Sequence, residues 1–243
     1  MERTKNLLIV LIILFRTISL DGQSRVTIYQ AYTDNNMDKW KAVIDSLEDI
    51  DEKSDALRLE LLNYQYGYIG WCIGTKNKEA AKHYYDLAQN NLETLENEQF
   101  NLAEIYAYKS AFVGFEIGLS PYKAPFIGLQ SIEFANKAIA ADSDQYLGYV
   151  QLGNIEFYRP AIFGGSKTKA IEYYQKALKK MEANPALLTE NWNYLSLLAI
   201  LINAYIEIDN FSKARDYCLK TLKIAPDFHW VKNELYPLTL KNE

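Results

Sequence analysis

Apolar residues recur three and four positions apart through nearly all of the chain after residue 36, and no long stretch alternates apolar with polar residues. Spacing of three and four places apolar side chains on one face of an α-helix, whereas a half-buried strand needs a period of two. The pattern predicts helices at about 26–33, 37–49, 54–73, 77–96, 99–118, 129–141, 145–158, 167–182, 187–208, 211–223 and 228–240. The links between them are mostly short, so consecutive helices should be antiparallel neighbours in an all-α fold.

The composition of the 243 residues is that of a folded protein with a sizeable core, because 49% are apolar and 14% are aromatic. A disordered or low-complexity chain is excluded on the same ground. The formal net charge is −5. Since binding to a phosphate backbone needs a surplus of Lys and Arg, nucleic acid is not an expected partner.

The N-terminal segment has the layout of a secretory signal peptide. Arg3 and Lys5 precede an apolar run at residues 7–15, and small residues follow in the polar stretch that ends at Ser24. This run is too short for a membrane-spanning helix, which needs about 20 residues. We expect cleavage near Ser24, although Arg16 directly after the run leaves an uncleaved N-terminal anchor as an alternative.

Export then sets the expected compartment and domain organisation. The signal peptide would be residues 1–24 and a single helical domain would be residues 25–243. No later apolar stretch is long enough to span a bilayer, so no stable membrane span is expected once the signal is removed. The protein is expected in the periplasm or at the cell envelope, in an envelope complex. Cys72 and Cys218 lie among apolar helical neighbours and are predicted to be two buried thiols, although export would permit a disulfide.

Helix pairs of related sequence recur in the second half of the chain. The second helix of one pair carries the small–large–small spacing Ala170, Tyr174, Ala177, after Tyr149, Leu152 and Gly153 in the first helix. The next pair carries Leu198, Leu201 and Tyr205, then Ala214, Cys218 and Pro226. Weaker copies are Ala81, Tyr85, Ala88 and Ser131, Ala135, Ala138. Small residues let two helices approach closely, and the large residue fills the space beside them.

This pattern resembles the tetratricopeptide repeat, firmly over residues 145–226 and loosely from residue 54. Ile202 and Cys218 depart from it, where the family prefers a small residue and an aromatic one. The resemblance implies a right-handed α-α superhelix, or solenoid, of four to five helix pairs. Residues 227–241 would form a C-terminal capping helix with a polar outer face.

Residue sets for catalysis or metal binding are nearly absent. His83 and His229 are the only histidines, and neither has a Cys, Asp or Glu partner at metal-ligand spacing on the same turn. The glycines before Ser166 lack the spacing of a phosphate-binding loop and follow a helix, so Ser166 is interpreted as a helix cap. We therefore expect no enzyme activity, no metal and no cofactor.

Two long links, residues 120–128 and 157–165, combine aromatic residues with Pro and Gly. Because equivalent turns of a solenoid stack along one edge, these links should be neighbours. They form the first candidate surface for a partner: Tyr122, Lys123, Phe126, Tyr158, Arg159 and Phe163. The alternative is that the aromatic side chains tuck inward and cover helix ends.

The second candidate surface is the concave face lined by the first helix of each pair. Asn154 and Asn203 would stand there, near Tyr66, Tyr149 and Phe157. Amide and aromatic side chains suit the binding of an extended peptide or a glycan. Asn at this place is also common in the repeat family for structural reasons, so a packing role is the alternative.

The expected function is that of an exported, non-enzymatic scaffold or adaptor for protein or peptide partners. A periplasmic small-molecule or lipid-binding component of a transport system is the alternative. It derives from a weak similarity of the segment around residues 164–170 to the periplasmic T-component of tripartite (TRAP) transporters. The lipoprotein cysteine expected for such a component is missing from the N-terminal region.

Overall fold

The computed structural model describes residues 22–240, which fold into helices and turns without any strand. The helices are α1 (22–33), α2 (Met37–Glu48), α3 (Asp55–Gly74), α4 (Lys78–Asn97), α5 (Leu102–Leu119), α6 (Ala124–Ala141), α7 (Leu147–Tyr158), α8 (Lys167–Glu182), α9 (Trp192–Ile206) and α10 (Phe211–Ile224). The last helix, here called α11, covers 229–240 and consists of a π-helical segment, Val231–Leu235, that continues into an α-helix, Tyr236–Leu240. Single 3₁₀ turns lie at Pro121–Lys123, Ala161–Phe163 and Pro185–Leu187. The all-α prediction is confirmed.

Consecutive helices pack as pairs that stack into a solenoid. The closest packing joins α3 to α4, α5 to α6, α7 to α8 and α9 to α10. Adjacent pairs meet through α4–α5, α6–α7 and α8–α9, and the first helices α3, α5 and α7 also contact one another in order. With α1 and α2 in front and α11 behind, the described chain has five pairs and a terminal helix, as predicted.

The small–large–small spacing has the packing role expected from the sequence. Ala170 and Ala177 are fully buried, and so is Tyr174, whose ring lies against Gly153 of the preceding helix. A Cβ atom at Gly153 would stand 2.3 Å from that ring, so only glycine fits there. In α4 the fully buried ring belongs to Tyr84 rather than to the predicted tyrosine one position later.

Two helix boundaries differ from the predicted ones for local reasons. α6 begins at Ala124 rather than 129, because Pro125 stands in its first turn, where a missing N–H costs no hydrogen bond. α9 begins at Trp192 rather than 187. Glu190 has φ 47°, which interrupts the helix, and the Asn191 side chain accepts a hydrogen bond from the backbone N–H of Asn193 to cap the new start.

Aromatic side chains join the first pair to the last. The Trp40 ring of α2 lies edge to face with Trp192 of α9, and Tyr32 of α1 contacts both of them at 5.9 Å between ring centroids. Tyr32 also lies 5.0 Å from Phe228, just before α11. These four residues, here called the closing cluster, bring the two ends of the solenoid together.

A polar contact reinforces the same junction. The guanidinium of Arg25 in α1 donates hydrogen bonds to three backbone carbonyls in the link between α8 and α9, those of Ala186, Thr189 and Glu190. The N–O distances are 3.1, 2.7 and 3.3 Å respectively. The first helix therefore joins the beginning of the solenoid to the link before α9.

The terminal segments complete the fold. The predicted signal peptide lies outside the described residues except for 22–24, which begin α1. Val231, Leu235 and Thr239 of α11 are buried, and the polar residues at 232–234 are exposed. Both cysteines are free and buried, as predicted. Within residues 22–240, no helix combines the length and the apolar character needed to cross a membrane.

Candidate functional site: an exposed aromatic edge

The link from α7 to α8 is held in one shape by its own backbone. Gly164 has φ 87°, and a Cβ atom at Gly165 would stand 1.8 Å from the carbonyl oxygen of Arg159. The Arg159 guanidinium pairs with Glu156 at 2.7 Å and donates to the carbonyl of Gly164 at 3.2 Å. Both glycines are thus required by the turn, and Arg159 fastens the loop rather than reaching into solvent.

The link from α5 to α6 is shorter than the sequence indicates, because most of residues 120–128 is helical. Its single 3₁₀ turn leads directly into α6. The Lys123 ammonium pairs with Glu116 at the end of α5, and this hydrogen bond raises the lysine pKa. Lys123 therefore ties the turn to the helix before it, as Arg159 does in the other link.

The apolar side chains of the two links are largely exposed, although burial near Tyr66 raises the pKa of the Tyr158 hydroxyl. We call this set of six the aromatic edge: Tyr122, Phe126, Leu129, Tyr158, Ile162 and Phe163. The four aromatic members are 69–80% exposed, so the alternative in which they tuck inward is wrong. Each link follows the first helix of its pair, and α7 contacts both α5 and α6. The two links therefore lie at the same end of adjacent pairs.

The second candidate surface is part of a hydrogen-bond network inside the solenoid. The Asn154 side chain accepts from the Tyr174 hydroxyl at 2.9 Å and donates to the Gln151 carbonyl oxygen at 3.2 Å. Gln151 in turn donates to the Tyr66 hydroxyl at 3.3 Å. Burial raises the pKa of Tyr66, which keeps this hydroxyl un-ionised. The structure thus gives Asn154 a role in fixing α7 against α3 and α8.

Aromatic packing also fills the concave face at this level. Tyr66 stacks on Phe115 with centroids 5.5 Å apart and lies 6.2 Å from Trp192. Asn203 of α9 is half-buried, and within residues 22–240 its side chain shares no hydrogen bond with Asn154. The structure therefore does not join the two asparagines into one site, and their role in binding stays a prediction.

A shallow hollow of about 280 Å³ lies elsewhere, between α8 and α10. Its lining is polar apart from Tyr205 and Tyr217, which stack on each other 5.6 Å apart. A small apolar ligand needs a lining with more apolar surface. The aromatic edge is therefore the candidate site that the structure supports best.

Comparison with known proteins adds information on the fold. No model of a known protein family matches the sequence, and no curated protein matches it either. A solved structure, the HusA haemophore from Porphyromonas gingivalis, is similar with a TM-score of 0.59. The similarity covers 75% of this chain and 90% of the haemophore chain at 18% sequence identity. The two proteins share an arrangement of helices, and the tetratricopeptide and TRAP resemblances stay predictions.

Proposed function

We propose that this protein is an exported, non-enzymatic binding protein and that the aromatic edge is its binding surface. The observation that carries the proposal is the exposure of six large apolar side chains on two adjacent links. Large apolar side chains that are exposed together at one edge of a folded domain favour an interaction site there. Arg159 and Lys123 hold the links in place by internal ion pairs, so little conformational freedom is lost on binding.

Haem is the ligand to test first. The structural neighbour is a haemophore, and the flat aromatic rings of the edge suit a planar apolar ligand, because rings stack with offset or edge-to-face geometry. Export places the protein where a carrier of this kind would act. The proposal requires no enclosed pocket, because the rings of the edge are exposed on an open surface.

The test is a titration of the exported chain with haem, in which the change in the haem absorption band measures binding. The double variant Tyr158→Ala with Phe163→Ala should bind about five- to 150-fold more weakly, because each lost aromatic contact is worth about 0.5–1.5 kcal/mol. Leu219→Ala is the matched control, since Leu219 is 51% exposed but lies on α10, away from the edge. Equal affinities for all three proteins, or no saturable binding, would contradict the proposal.

A protein or peptide partner at the cell envelope is the second candidate, because the edge is an open surface rather than a cavity. Crosslinking in intact cells followed by purification should recover a partner with the natural chain and lose it with Tyr158→Ala and Phe163→Ala. Equal recovery of the partner with the natural chain and with the double variant would show that the aromatic edge is not the surface that contacts the partner. The N-terminal sequence of the purified protein tests export at the same time: a chain that begins near residue 25 supports signal cleavage, and one that begins at Met1 contradicts it.

A further inference from the structure

The hollow between α8 and α10 is lined by side chains from three helices. Tyr205, at the end of α9, is buried and lies deepest among them. Tyr217 of α10 stacks on it with an interplanar angle of 19°, and Gln175 comes from α8 on the other side. One face of α10 contributes the other lining residues at helical spacing: Lys213, Asp216 and Lys220. An aromatic platform is therefore bordered by polar groups.

The uncharged polar groups of the hollow are held in place by each other. The Gln175 side-chain amide donates to the Tyr205 hydroxyl at 2.8 Å. Burial raises the pKa of Tyr205, so this hydroxyl stays protonated. Because it accepts from Gln175, its own proton can be donated to a ligand, and the Gln175 carbonyl oxygen can accept. A fixed donor and a fixed acceptor thus lie beside the aromatic platform.

The charged side chains of the hollow balance one another. Lys213 and Asp216 pair at 3.5 Å, and Lys220 pairs with Glu182 in the last turn of α8. The first pair is 59% and 63% exposed, and an ion pair in such a position contributes little stability. Its two partners can therefore exchange each other for a ligand at small cost. The hollow offers them as a further donor and acceptor, without a surplus of charge.

We propose that this hollow binds a neutral sugar unit. A pyranose ring has a face of C–H groups and a rim of hydroxyl groups, each of which both donates and accepts a hydrogen bond. The C–H face would lie against Tyr217, the more exposed of the two rings. Two neighbouring hydroxyls would bond to Lys213 and Asp216. The hollow is open, so the sugar unit can belong to a longer glycan.

The same lining disfavours other classes of small ligand. A phosphate or carboxylate group needs an unmatched cation, whereas both lysines of the hollow already have a carboxylate partner. An apolar ligand needs more apolar surface than two tyrosine rings supply. A neutral ligand with an apolar face and a polar rim fits both conditions.

The hollow is separate from the aromatic edge of the proposed function. It lies between α8 and α10, whereas the edge lies on the links that follow α5 and α7. The two sites would bind their ligands independently. The variant Tyr158→Ala with Phe163→Ala should therefore bind sugar as the natural chain does, and failure of one proposal leaves the other standing.

The experiment is saturation-transfer NMR, followed by calorimetry, with neutral trisaccharides of glucose, galactose and N-acetylglucosamine. Glucose and glucose 6-phosphate are compared with each other to measure the effect of a negative charge. We expect saturable binding of at least one trisaccharide and no gain in affinity from the phosphate. High salt should change the affinity little, because the ligand is uncharged.

A charge-neutral double variant tests the polar rim. Lys213→Ala with Asp216→Ala should bind the trisaccharide at least about fivefold more weakly, because two hydrogen bonds are lost. Asp227→Ala with Lys232→Ala is the matched control: it removes another exposed ion pair that lies outside the hollow and leaves the net charge unchanged. The control should bind as the natural chain does.

A second variant tests the aromatic platform. Tyr217→Ala should bind about two- to 12-fold more weakly, since it loses one aromatic contact. Tyr173→Ala is its matched control, because Tyr173 is also half-buried and has Lys176 near its ring, as Tyr217 has Lys220. Helical circular dichroism checks that both variants are folded. No saturable binding of any trisaccharide, tighter binding of the phosphate, or equal losses in the variants and their controls would overturn the proposal.

Discussion

The indole rings of Trp40 and Trp192 meet at an interplanar angle of 76°, with their centroids 4.9 Å apart, and Gly67 of α3 lies beneath both. A Cβ atom at Gly67 would stand 2.7 Å from one indole and 2.8 Å from the other. The second, third and ninth helices therefore meet at one point, where there is room only for a hydrogen atom.

Gly67→Ala should lower the free energy of unfolding by about 1–3 kcal/mol, because overpacking displaces both indoles. Chemical unfolding followed by circular dichroism measures the change. Gly114→Ala is the control, since nothing lies within 4 Å of its added methyl group inside α5. That variant should be neutral or more stable, as alanine is the better helix former. Similar destabilisation by the two variants would contradict the packing argument.

Arg25→Ala should loosen the junction between α1 and the link before α9. The variant leaves three backbone carbonyls without their charged donor, at an expected cost of about 1 kcal/mol for an exposed site. Hydrogen exchange should become faster in α1 while α4 keeps its protection. Arg25→Lys should restore only part of the effect, because one ammonium cannot reproduce the planar guanidinium fork. Unchanged exchange in α1 would show that the closing cluster alone holds the junction.

The two thiols should be unreactive in the folded protein. Burial raises the pKa of Cys72 to about 11 and that of Cys218 to about 12, and the thiolate is the reactive form. At pH 8, a thiol reagent should modify neither residue until denaturant unfolds the chain, when both react. Rapid labelling of the native protein would show that one helix opens locally.

Stability should fall in alkaline solution. Burial is the main cause that raises the pKa of Tyr68 and Tyr84 to about 12, against an ordinary value of 10.0. The fold therefore favours the un-ionised hydroxyls, so stability is level below pH 10 and decreases as the pH rises from 10 toward 12. The part of the phenolate absorbance that is missing from the double variant Tyr68→Phe with Tyr84→Phe should appear together with the loss of helical circular dichroism. Appearance of that part near pH 10 with full helix content would contradict this coupling.

The order of the helices and the exposed links follow from the sequence, because periodicity and turn residues are local signals. The unusual composition of the two links predicts Tyr122, Phe126, Tyr158 and Phe163 as surface residues. Leu129 and Ile162 belong to the same edge, but isolated apolar residues carry no sign that they face solvent. The predicted start of α6 lies too late in the chain, because a Pro-containing sequence indicates a link whereas the first turn of a helix accepts Pro125.

The closing cluster could not be predicted in the same way. Helical periodicity shows which face of a helix is apolar, but not which distant helix covers that face. Trp40 and Trp192 belong to separate pairs, and no repeat pattern relates them.

The junction between the first and last pairs has a consequence for how such a chain can change over generations. An open array of helical repeats can gain or lose one helix pair without destabilising the distant pairs, because each pair contacts only its neighbours. Here Arg25 and Tyr32 contact the link before α9 and the residue before α11. An inserted unit would carry these partners out of reach. These contacts therefore fix the number of helix pairs. Sequence change is tolerated mainly in the links, where the exposed rings lie.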